Sequence, residues 1–258
     1  MMSALSAAIA GFGFGALAFA TFGFFLGGFV KGAVGFALPM VGIACAATVL
    51  PKEAAVAYLA LPVFATNVWQ SVRHGWGAAW KTLKSLRLMI SVMIVALLAA
   101  TQILPALEER VFAGVLGFVA LAYAVLQLAG WQPTVRRPFA DVLFGLLAGI
   151  FGGLSGVWGP PTLMLLMTLN LPKQEFVRAC GVVFTLGSLP YLVGHWYSGV
   201  LNIETAPVSL ALVLPTALGM WIGQRVQDRL DGDVFKRWIL IVLLLAGANF
   251  LRRAVFGG

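Results

Sequence analysis

Two glycine-rich stretches of the chain have the composition of an anion-binding backbone. The first reads GGFVKGAVGFALP from Gly27 to Pro39, and the second reads GIFGGLSGVWGPP from Gly149 to Pro161. Glycine permits backbone conformations that other residues resist, and proline ends helices, so each stretch predicts an interrupted helix. An interruption frees backbone N–H groups and exposes the positive end of the next half-helix, and both attract negative charge. Close packing of helices through small residues is the alternative use of such glycines.

Side chains within these stretches add to the predicted site. Lys31 is the one basic residue among them; in a membrane segment it either neutralises bound negative charge or extends its ammonium group to the surface. Ser155 and Trp158 offer a hydroxyl and an indole N–H, although Trp158 also suits packing or a membrane interface. The positions expected to bind through the backbone are Gly32, Gly35, Phe36, Gly153, Gly156 and Gly159.

Polar residues recur at helical spacing in two later segments. The first set is Asn67, Gln70 and His74, and the second is Ser188, Tyr191 and His195. Spacings of three and four put each set on one helix face, which predicts the lining of a cavity, with interhelical hydrogen bonding as the alternative. The two histidines are candidates for gating or proton relay, or are satisfied at a helix interface. No Asp or Glu lies in the middle of a segment, so a carboxylate-based proton relay has no evident carrier.

The elements that hold these residues must lie in a membrane. Of the 258 residues, 61% are hydrophobic and 10% are charged, and the mean hydropathy is +0.97. Soluble domains are typically about 45–50% apolar and about 25% charged, so this composition excludes a water-soluble fold. The polar content is also too low for a disordered chain. Long apolar runs without alternation predict membrane helices and not a barrel.

Charges, prolines and glycines divide the chain into ten apolar segments. Their predicted limits are 4–30, 33–49, 53–72, 86–104, 110–130, 139–153, 157–170, 174–195, 203–224 and 236–251. The segments at 139–153 and 157–170 are short for a full crossing, so they predict a broken helix or a re-entrant hairpin. The first segment has no basic region before it and is too long for a cleaved signal, so we interpret it as a membrane helix.

Basic residues concentrate in alternate loops. The loops after the third, fifth, seventh and ninth segments hold 12 of the 17 lysines and arginines: Arg73, Lys81, Lys84, Arg87, Arg136, Arg137, Lys173, Arg178, Arg225, Arg229, Lys236 and Arg237. The loops at Glu108 and Glu204 fall on the opposite face. The positive-inside rule places the basic face in the cytoplasm and both termini outside. The same bias accounts for the net charge of +8, and no basic stretch with interleaved aromatics suggests nucleic acid.

A shift of 121 residues brings the two halves of the chain into register. Ten identities then fall between positions 28 and 74: Gly28, Gly32, Gly35, Pro39, Leu50, Pro51, Lys52, Val56, Val72 and His74. Each repeat contains five segments, an odd number, so equivalent segments run in opposite directions through the membrane. Many secondary transporters have such inverted repeats and bind substrate near the midplane. We expect one integral membrane domain, with an N-terminal repeat at 1–130 and a C-terminal repeat at 131–258.

The sequence offers no pattern typical of an enzyme. Cys45 and Cys180 lie in apolar segments and are too few for a disulfide framework or a metal site. No metal-spaced cluster, buried carboxylate pair or serine–histidine motif is found. We therefore predict no catalytic residues, no metal and no cofactor.

The second glycine stretch extends to GIFGGLSGVWGPPTLMLL and is followed by LPKQEFVRA. Together with the two glycine-opened repeats, these motifs resemble the sulfite exporter TauE/SafE family of membrane permeases over about Phe25 to Phe250. The resemblance implies a multi-pass transporter of the bacterial inner membrane for sulfite, sulfonates, sulfoacetate, thiosulfate or related organic anions. The first stretch departs from the family pattern at Lys31 and Phe36, which leaves the choice of anion open.

Motifs, repeat and resemblance together predict an all-α polytopic secondary transporter, with export as the expected direction, working by alternating access at a midplane anion site. The expected partners are a small anionic substrate, the lipid bilayer and a candidate coupling ion, H⁺ or Na⁺; uncoupled passage and the oligomeric state stay open. An anion channel is the first alternative, and a membrane assembly factor is a weaker one.

Overall fold

The computed structural model describes residues 2–72, 76–130, 138–169, 171, 173–227 and 232–256. Within these ranges the chain is helical, without strands, and the helices form one bundle. They are α1 (Met2–Phe12), α2 (Phe14–Val34), α3 (Leu38–Val49), α4 (Lys52–Val72), α5 (Trp76–Ser85), α6 (Arg87–Ile103), α7 (Glu109–Leu128), α8 (Phe139–Ser155), α9 (Gly159–Thr168), α10 (Lys173–Tyr197), α11 (Ala206–Gln227) and α12 (Gly232–Phe256). The predicted all-α polytopic fold is confirmed.

Four helices of the described residues are long and apolar enough to cross a membrane: Phe14–Ala33, Arg87–Ala106, Glu109–Leu128 and Ala206–Val226. The outer faces of the bundle are apolar as well, with residues such as Val95, Phe118 and Leu214 more than 60% exposed. In a bilayer these side chains contact lipid, so their exposure is favourable there.

The repeat seen in the sequence is a repeat of helices. With the shift of 121 residues, α2, α3, α4, α6 and α7 coincide in order with α8, α9, α10, α11 and α12. The helix α2 packs most extensively on α11, and its counterpart α8 packs on α6, so the contacts are symmetric under exchange of the repeats. Each repeat thus completes its bundle with a helix of the other.

Equivalent helices of the two repeats pack antiparallel. In α4 and α10, Asn67 Nδ2 donates to the Phe184 carbonyl at 3.0 Å, and Tyr191 Oη donates to the Val56 carbonyl at 3.3 Å. The helices α7 and α12 cross in the same sense, because Gly114 contacts Ala254 and an earlier residue of α12 faces a later one of α7. A two-fold relation that reverses equivalent helices has its axis across the bundle, which is the geometry of an inverted repeat. Position 67 of α4 lies close to this axis.

Both glycine stretches interrupt the helices, as predicted. The helix α2 ends at Val34 and α3 begins at Leu38, while α8 ends at Ser155 and α9 begins at Gly159. The C-caps are Gly35, with φ 86°, and Gly156, with φ 73°, and both occupy the left-handed region that favours glycine. These two residues are equivalent in the repeat.

The chain folds back at the first interruption to form a hairpin. A Cβ on Gly27 would contact Leu38 and Gly42, and one on Gly23 would contact Cys45, so α3 returns along α2. The helix α9 likewise packs on α8. With 12 and 10 residues, α3 and α9 are roughly 18 and 15 Å long, whereas a membrane core is about 30 Å thick. They are half-length helices, which supports the re-entrant alternative for the short segments and extends it to the first repeat.

Two features of the helices differ from the predicted segments. The first segment, expected as one helix over 4–30, is divided at Gly13, which has φ 82° and separates α1 from α2. The loop after α4 contains the additional helix α5, whose Trp80 and Lys84 stack at 5.5 Å. The sequence did not predict α5 as an apolar segment, because the helix is short and amphipathic and mixes tryptophan, lysine and small residues.

Candidate functional site

The tips of the two hairpins meet at a small cavity in the middle of the bundle. The first tip contributes Lys31, Ala37, Pro39 and Met40, the second contributes Val157, Trp158 and Gly159, and α4 and α10 close the cavity with Asn67 and Phe184. The cavity measures about 20 Å³, which is room for about one water molecule. Both repeats therefore build one enclosed space close to the two-fold axis.

Lys31 places its amino group in this space. The residue is only 2% exposed, and its Nζ donates to Thr66 Oγ1 at 3.0 Å and to Asn67 Oδ1. Asn67 is held in turn by its bond to Phe184, and Thr185 Oγ1 donates to the Asn67 carbonyl at 3.0 Å. Both acceptors of the lysine are neutral, and within the described part of the chain no carboxylate lines the cavity. A cation without a counter-ion in an apolar interior favours the approach of an anion.

The N-termini of the two half-length helices add positive potential to the same space. In α3 the first helical bond is donated by Val41 to Ala37, so the N–H groups of Leu38 and Met40 precede it and face the tip. In α9 the two residues after Gly159 are Pro160 and Pro161, which carry no N–H group. Gly159 thus supplies the first amide of that helix. Two helix dipoles from different repeats therefore reinforce the charge of Lys31.

An aromatic cluster closes the cavity on the side of the second tip. Tyr191 stacks edge-on against Trp158, with ring centroids 5.5 Å apart, and against His195, at 4.4 Å. A Cβ on Gly156 would lie 3.3 Å from the Tyr191 hydroxyl, so the tip rests on this ring. His195 is fully buried, and neither ring nitrogen has a hydrogen-bond partner among the described residues.

The first tip rests on Gln70, the residue equivalent to Tyr191. Gln70 Nε2 donates to the Gly35 carbonyl at 2.9 Å, and its buried Oε1 has no partner in the described part of the chain. Phe36 packs edge-on against Tyr123, with ring centroids 6.3 Å apart. The predicted polar stripe thus supports both tips, with an amide in one repeat and a phenol in the other.

Other predicted site residues lie outside the cavity lining. Gly32 packs on α11, where an added Cβ would lie 2.1 Å from the Met220 carbonyl oxygen, and Gly153 packs on α6 in the same way. Ser155 Oγ donates to the Phe151 carbonyl and Ser188 Oγ donates to the Thr185 carbonyl, each at 2.8 Å. His74 lies outside the described residues. The binding role predicted for these positions stays a prediction.

The site also contains residues that the sequence patterns missed. They are Ala37, Met40, Val157 and Phe184, which line the cavity, and Thr66, which accepts a hydrogen bond from Lys31. Thr66 had a signal, because it is a polar residue next to Asn67 in an apolar helix. The four others are apolar, and nothing in their type distinguishes them from the membrane-facing residues around them.

Comparisons with known proteins give one matching family and a related plant protein. The sequence profile of the family described as "Sulfite exporter TauE/SafE" matches residues 19–250. A protein from Arabidopsis thaliana described as "Sulfite exporter TauE/SafE family protein 3" is 30% identical over 126 residues, which cover 48% of this chain and 26% of the plant protein. The matched stretch is thus about a quarter of that relative's length. No solved structure matches the chain.

Proposed function

Because the chain belongs to the sulfite exporter TauE/SafE family of membrane transport proteins, we propose that it exports sulfite, a sulfonate or a related sulfur oxyanion. The proposed location is the bacterial inner membrane, with the basic loops in the cytoplasm and α1 at the outer face. The proposed mechanism is alternating access, in which the two repeats rock about the central cavity.

The observation that carries the proposal is the uncompensated charge of Lys31 between two re-entrant tips. A buried lysine costs free energy unless its charge is used, and its acceptors Thr66 and Asn67 do not neutralise it. An oxyanion has several acceptor oxygens, which could engage the ammonium group and the amides at the starts of α3 and α9 together. Binding of an anion would thus complete an interaction that the protein leaves open.

The size of the cavity favours a carrier over a channel. Space for about one water molecule cannot conduct an oxyanion, so passage requires the two tips to separate. The second tip contacts Tyr191 and Leu59, and the first tip contacts Gln70, so we propose that these contacts are the two barriers to passage. A carrier that alternates between two such barriers shows saturation and counterflow, whereas a channel shows conductance.

Export of a singly charged anion needs no coupling ion in principle. An inside-negative potential favours outward movement of the anion by about 2.3 kcal/mol per 100 mV. Uptake against the same potential would need H⁺ or Na⁺. His195 is buried beside Tyr191 on the side of the second tip, so its replacement by Gln tests a proton relay.

The test is a flux assay in proteoliposomes. The substrate panel is sulfite, thiosulfate and sulfoacetate, with chloride as the reference anion. We expect saturable flux and counterflow of at least one sulfur oxyanion, and loss of both in the Lys31→Gln variant. Lys84→Gln is the matched control, since Lys84 is exposed and stacks on Trp80. Flux that is unchanged in Lys31→Gln, or conductance without saturation, would contradict the proposal.

A further inference from the structure

Two larger cavities open at opposite ends of the bundle and are related by the internal repeat. The first, of about 760 Å³, includes Glu53, Tyr58 and Glu204 in its lining, and we refer to it as the acidic vestibule. The second, of about 580 Å³, includes Lys81, Glu175 and Arg178, and we refer to it as the basic vestibule. Residues 178 and 198, which line different vestibules, are separated by 20 positions along or just beyond α10, or about 30 Å. This separation matches the thickness of a membrane core.

The two vestibules are built from equivalent positions. With the shift of 121 residues, Ala54 corresponds to Glu175 and Tyr58 corresponds to Ala179, and all four line a vestibule. In the same register Gly77 corresponds to Ser198, and Thr82 corresponds to Ile203. The backbone geometry is thus shared, and the difference between the vestibules lies in their side chains.

The side chains give the vestibules opposite charge. Among the described residues that line the basic vestibule, Lys81 and Arg178 are positive and Glu175 is negative. The Arg178–Glu175 pair is long, at 3.6 Å, and Arg178 Nε is buried without a partner among the described residues. The guanidinium group thus keeps hydrogen-bonding capacity for a visiting anion.

In the acidic vestibule the charged residues of the described lining are Glu53 and Glu204. Glu53 pairs at 2.8 Å with Lys52, which does not line the cavity, so part of its charge is offset. Glu204 is exposed. A cleft between low-dielectric walls concentrates the electrostatic potential of its charged residues. The negative potential of this vestibule therefore lowers the local concentration of anions.

We propose that the basic vestibule is the site where the protein collects its anionic substrate and that the acidic vestibule is the site of release. This inference rests on the proposed function and names the two surfaces by which the exported anion enters and leaves the protein. Anions accumulate beside Lys81 and Arg178 before they reach Lys31. After release, the glutamates oppose return of the anion. Since the basic loops mark the cytoplasmic face, the direction is outward.

The charge of each vestibule can be measured without transport. In a variant with Cys45 and Cys180 replaced by Ser, a single cysteine is introduced at Gly77 or at Ile203, which line the basic and the acidic vestibule. The rates of modification by a sulfonated (anionic) and a trimethylammonium (cationic) methanethiosulfonate are then compared. We expect the anionic-to-cationic rate ratio to be about tenfold higher at Gly77→Cys than at Ile203→Cys in low salt, and to converge in high salt.

Transport tests the role of that charge. In inside-out and right-side-out membrane vesicles, Lys81→Gln and Arg178→Gln should each raise the KM for sulfite about three- to tenfold at the face with the basic vestibule, with kcat unchanged. The KM at the other face should stay the same. Lys84→Gln is the matched control, because Lys84 lies on the same helix α5 but does not line the vestibule.

The outcomes separate this inference from the proposed function. An equal rate ratio at the two cysteines, or an equal change of KM in Lys84→Gln, would overturn the inference while sulfite transport itself stands. If the protein moved no anion and the rate ratio still differed, the vestibule charge would be upheld and the exporter proposal would fail.

Discussion

The bond between Lys31 and Asn67 makes the charge state of position 67 decisive for binding. Asn67 is neutral and accepts from Lys31 Nζ, so it orients the ammonium group without cancelling its charge. A carboxylate at this position would form an ion pair in a low-dielectric interior, where such pairs are strong. An external anion would then have to compete with a built-in one.

We therefore expect Asn67→Asp to raise the KM for sulfite at least about tenfold, which corresponds to about 1.4 kcal/mol of binding free energy. Its thermal unfolding temperature in detergent measures the balance between the new ion pair with Lys31 and the lost hydrogen bond from Nδ2 to the Phe184 carbonyl. Asn249→Asp is the control, since Asn249 lies beside Arg252 at the surface. An unchanged KM in Asn67→Asp would exclude Lys31 from substrate binding.

At the residue scale, the sequence singled out polar residues that the structure brings together around the hairpin tips, but it did not predict the contacts between them. Lys31, Asn67, Gln70 and Tyr191 stand out as polar residues in apolar segments, and all four lie at the hairpin tips or the cavity. Their bonds join residues 35 or more positions apart, such as Gln70 to Gly35, and no local pattern encodes such distances. Some glycines of the two stretches are helix C-caps and others are sites of close helix packing. Their spacing in the sequence does not distinguish these two uses.

At the scale of the helix, the two C-cap glycines have the same backbone conformation and different neighbours. Gly35 has φ 86° and its added Cβ would meet only Gln70 Nε2, at 3.7 Å; Gly156 has φ 73° and its Cβ would lie 2.7 Å from Leu59 Cδ2. An L-residue in the left-handed region costs about 1–2 kcal/mol. At Gly156 an added side chain would therefore also clash with Leu59.

We expect Gly35→Ala to lower the free energy of unfolding by about 1–2 kcal/mol, and Gly156→Ala to lower it further. Thermal or denaturant unfolding in detergent measures both. The double variant Gly156→Ala/Leu59→Ala is the control, because it removes the clash. Leu59→Ala alone measures the cost of the cavity that the shortened side chain leaves. Equal losses in the two single variants would show that the tip adjusts around Leu59.

The parallel pair α2 and α11 depends on glycines from both helices. A Cβ added to Gly219 would lie 2.1 Å from the Phe25 carbonyl oxygen, and one on Gly223 would lie 2.0 Å from the Phe29 carbonyl oxygen. These contacts involve backbone atoms, which cannot move without displacing a whole helix. Small residues allow this close approach in membrane bundles.

Gly219→Ala should therefore destabilise the fold by about 1–3 kcal/mol, the usual cost of overpacking. Gly114→Ala is the matched control in another helix, because its Cβ meets Ala254 at an ordinary 3.6 Å. It should be neutral or stabilising by up to about 1 kcal/mol. The unfolding temperature and the monodisperse fraction after purification check both variants. An unfolding temperature of Gly219→Ala equal to that of the unmodified protein would contradict this packing.

The sequence predicted a helix correctly where a continuous apolar run is bounded by clear helix-breaking residues. It missed an element where the apolar run or the helix-breaking signal is weak. The interruptions at Gly35 and Gly156 were predicted because glycine and proline both mark them. The break at Gly13 escaped prediction because other glycines surround it in an apolar run, and only the φ of 82° distinguishes it. The amphipathic α5 escaped because its helix follows from contacts with α10 and α6, not from a continuous apolar stretch.

For the whole molecule, the proposed alternating access predicts movement between the two repeats around the closed central cavity. The cavity has room for about one water molecule, so transport requires the tips to separate alternately toward each vestibule. The contact between α7 and α12 joins the two repeats. If the repeats rock as bodies, a covalent bond across this contact must stop the cycle.

Gly114 and Ala254 offer a place for such a bond. A Cβ added to Gly114 would lie 3.6 Å from Ala254 Cβ, within the range of about 3.5–4.5 Å that a disulfide requires. In a background without Cys45 and Cys180, Gly114→Cys/Ala254→Cys should lose more than about nine-tenths of sulfite flux on oxidation and regain it on reduction. Each single cysteine variant should keep its flux under the same oxidant, while sulfite should still raise the unfolding temperature of the oxidised pair. Full flux in the oxidised double variant would mean that α7 and α12 move as one body, and the motion would then have to lie in the hairpin tips alone.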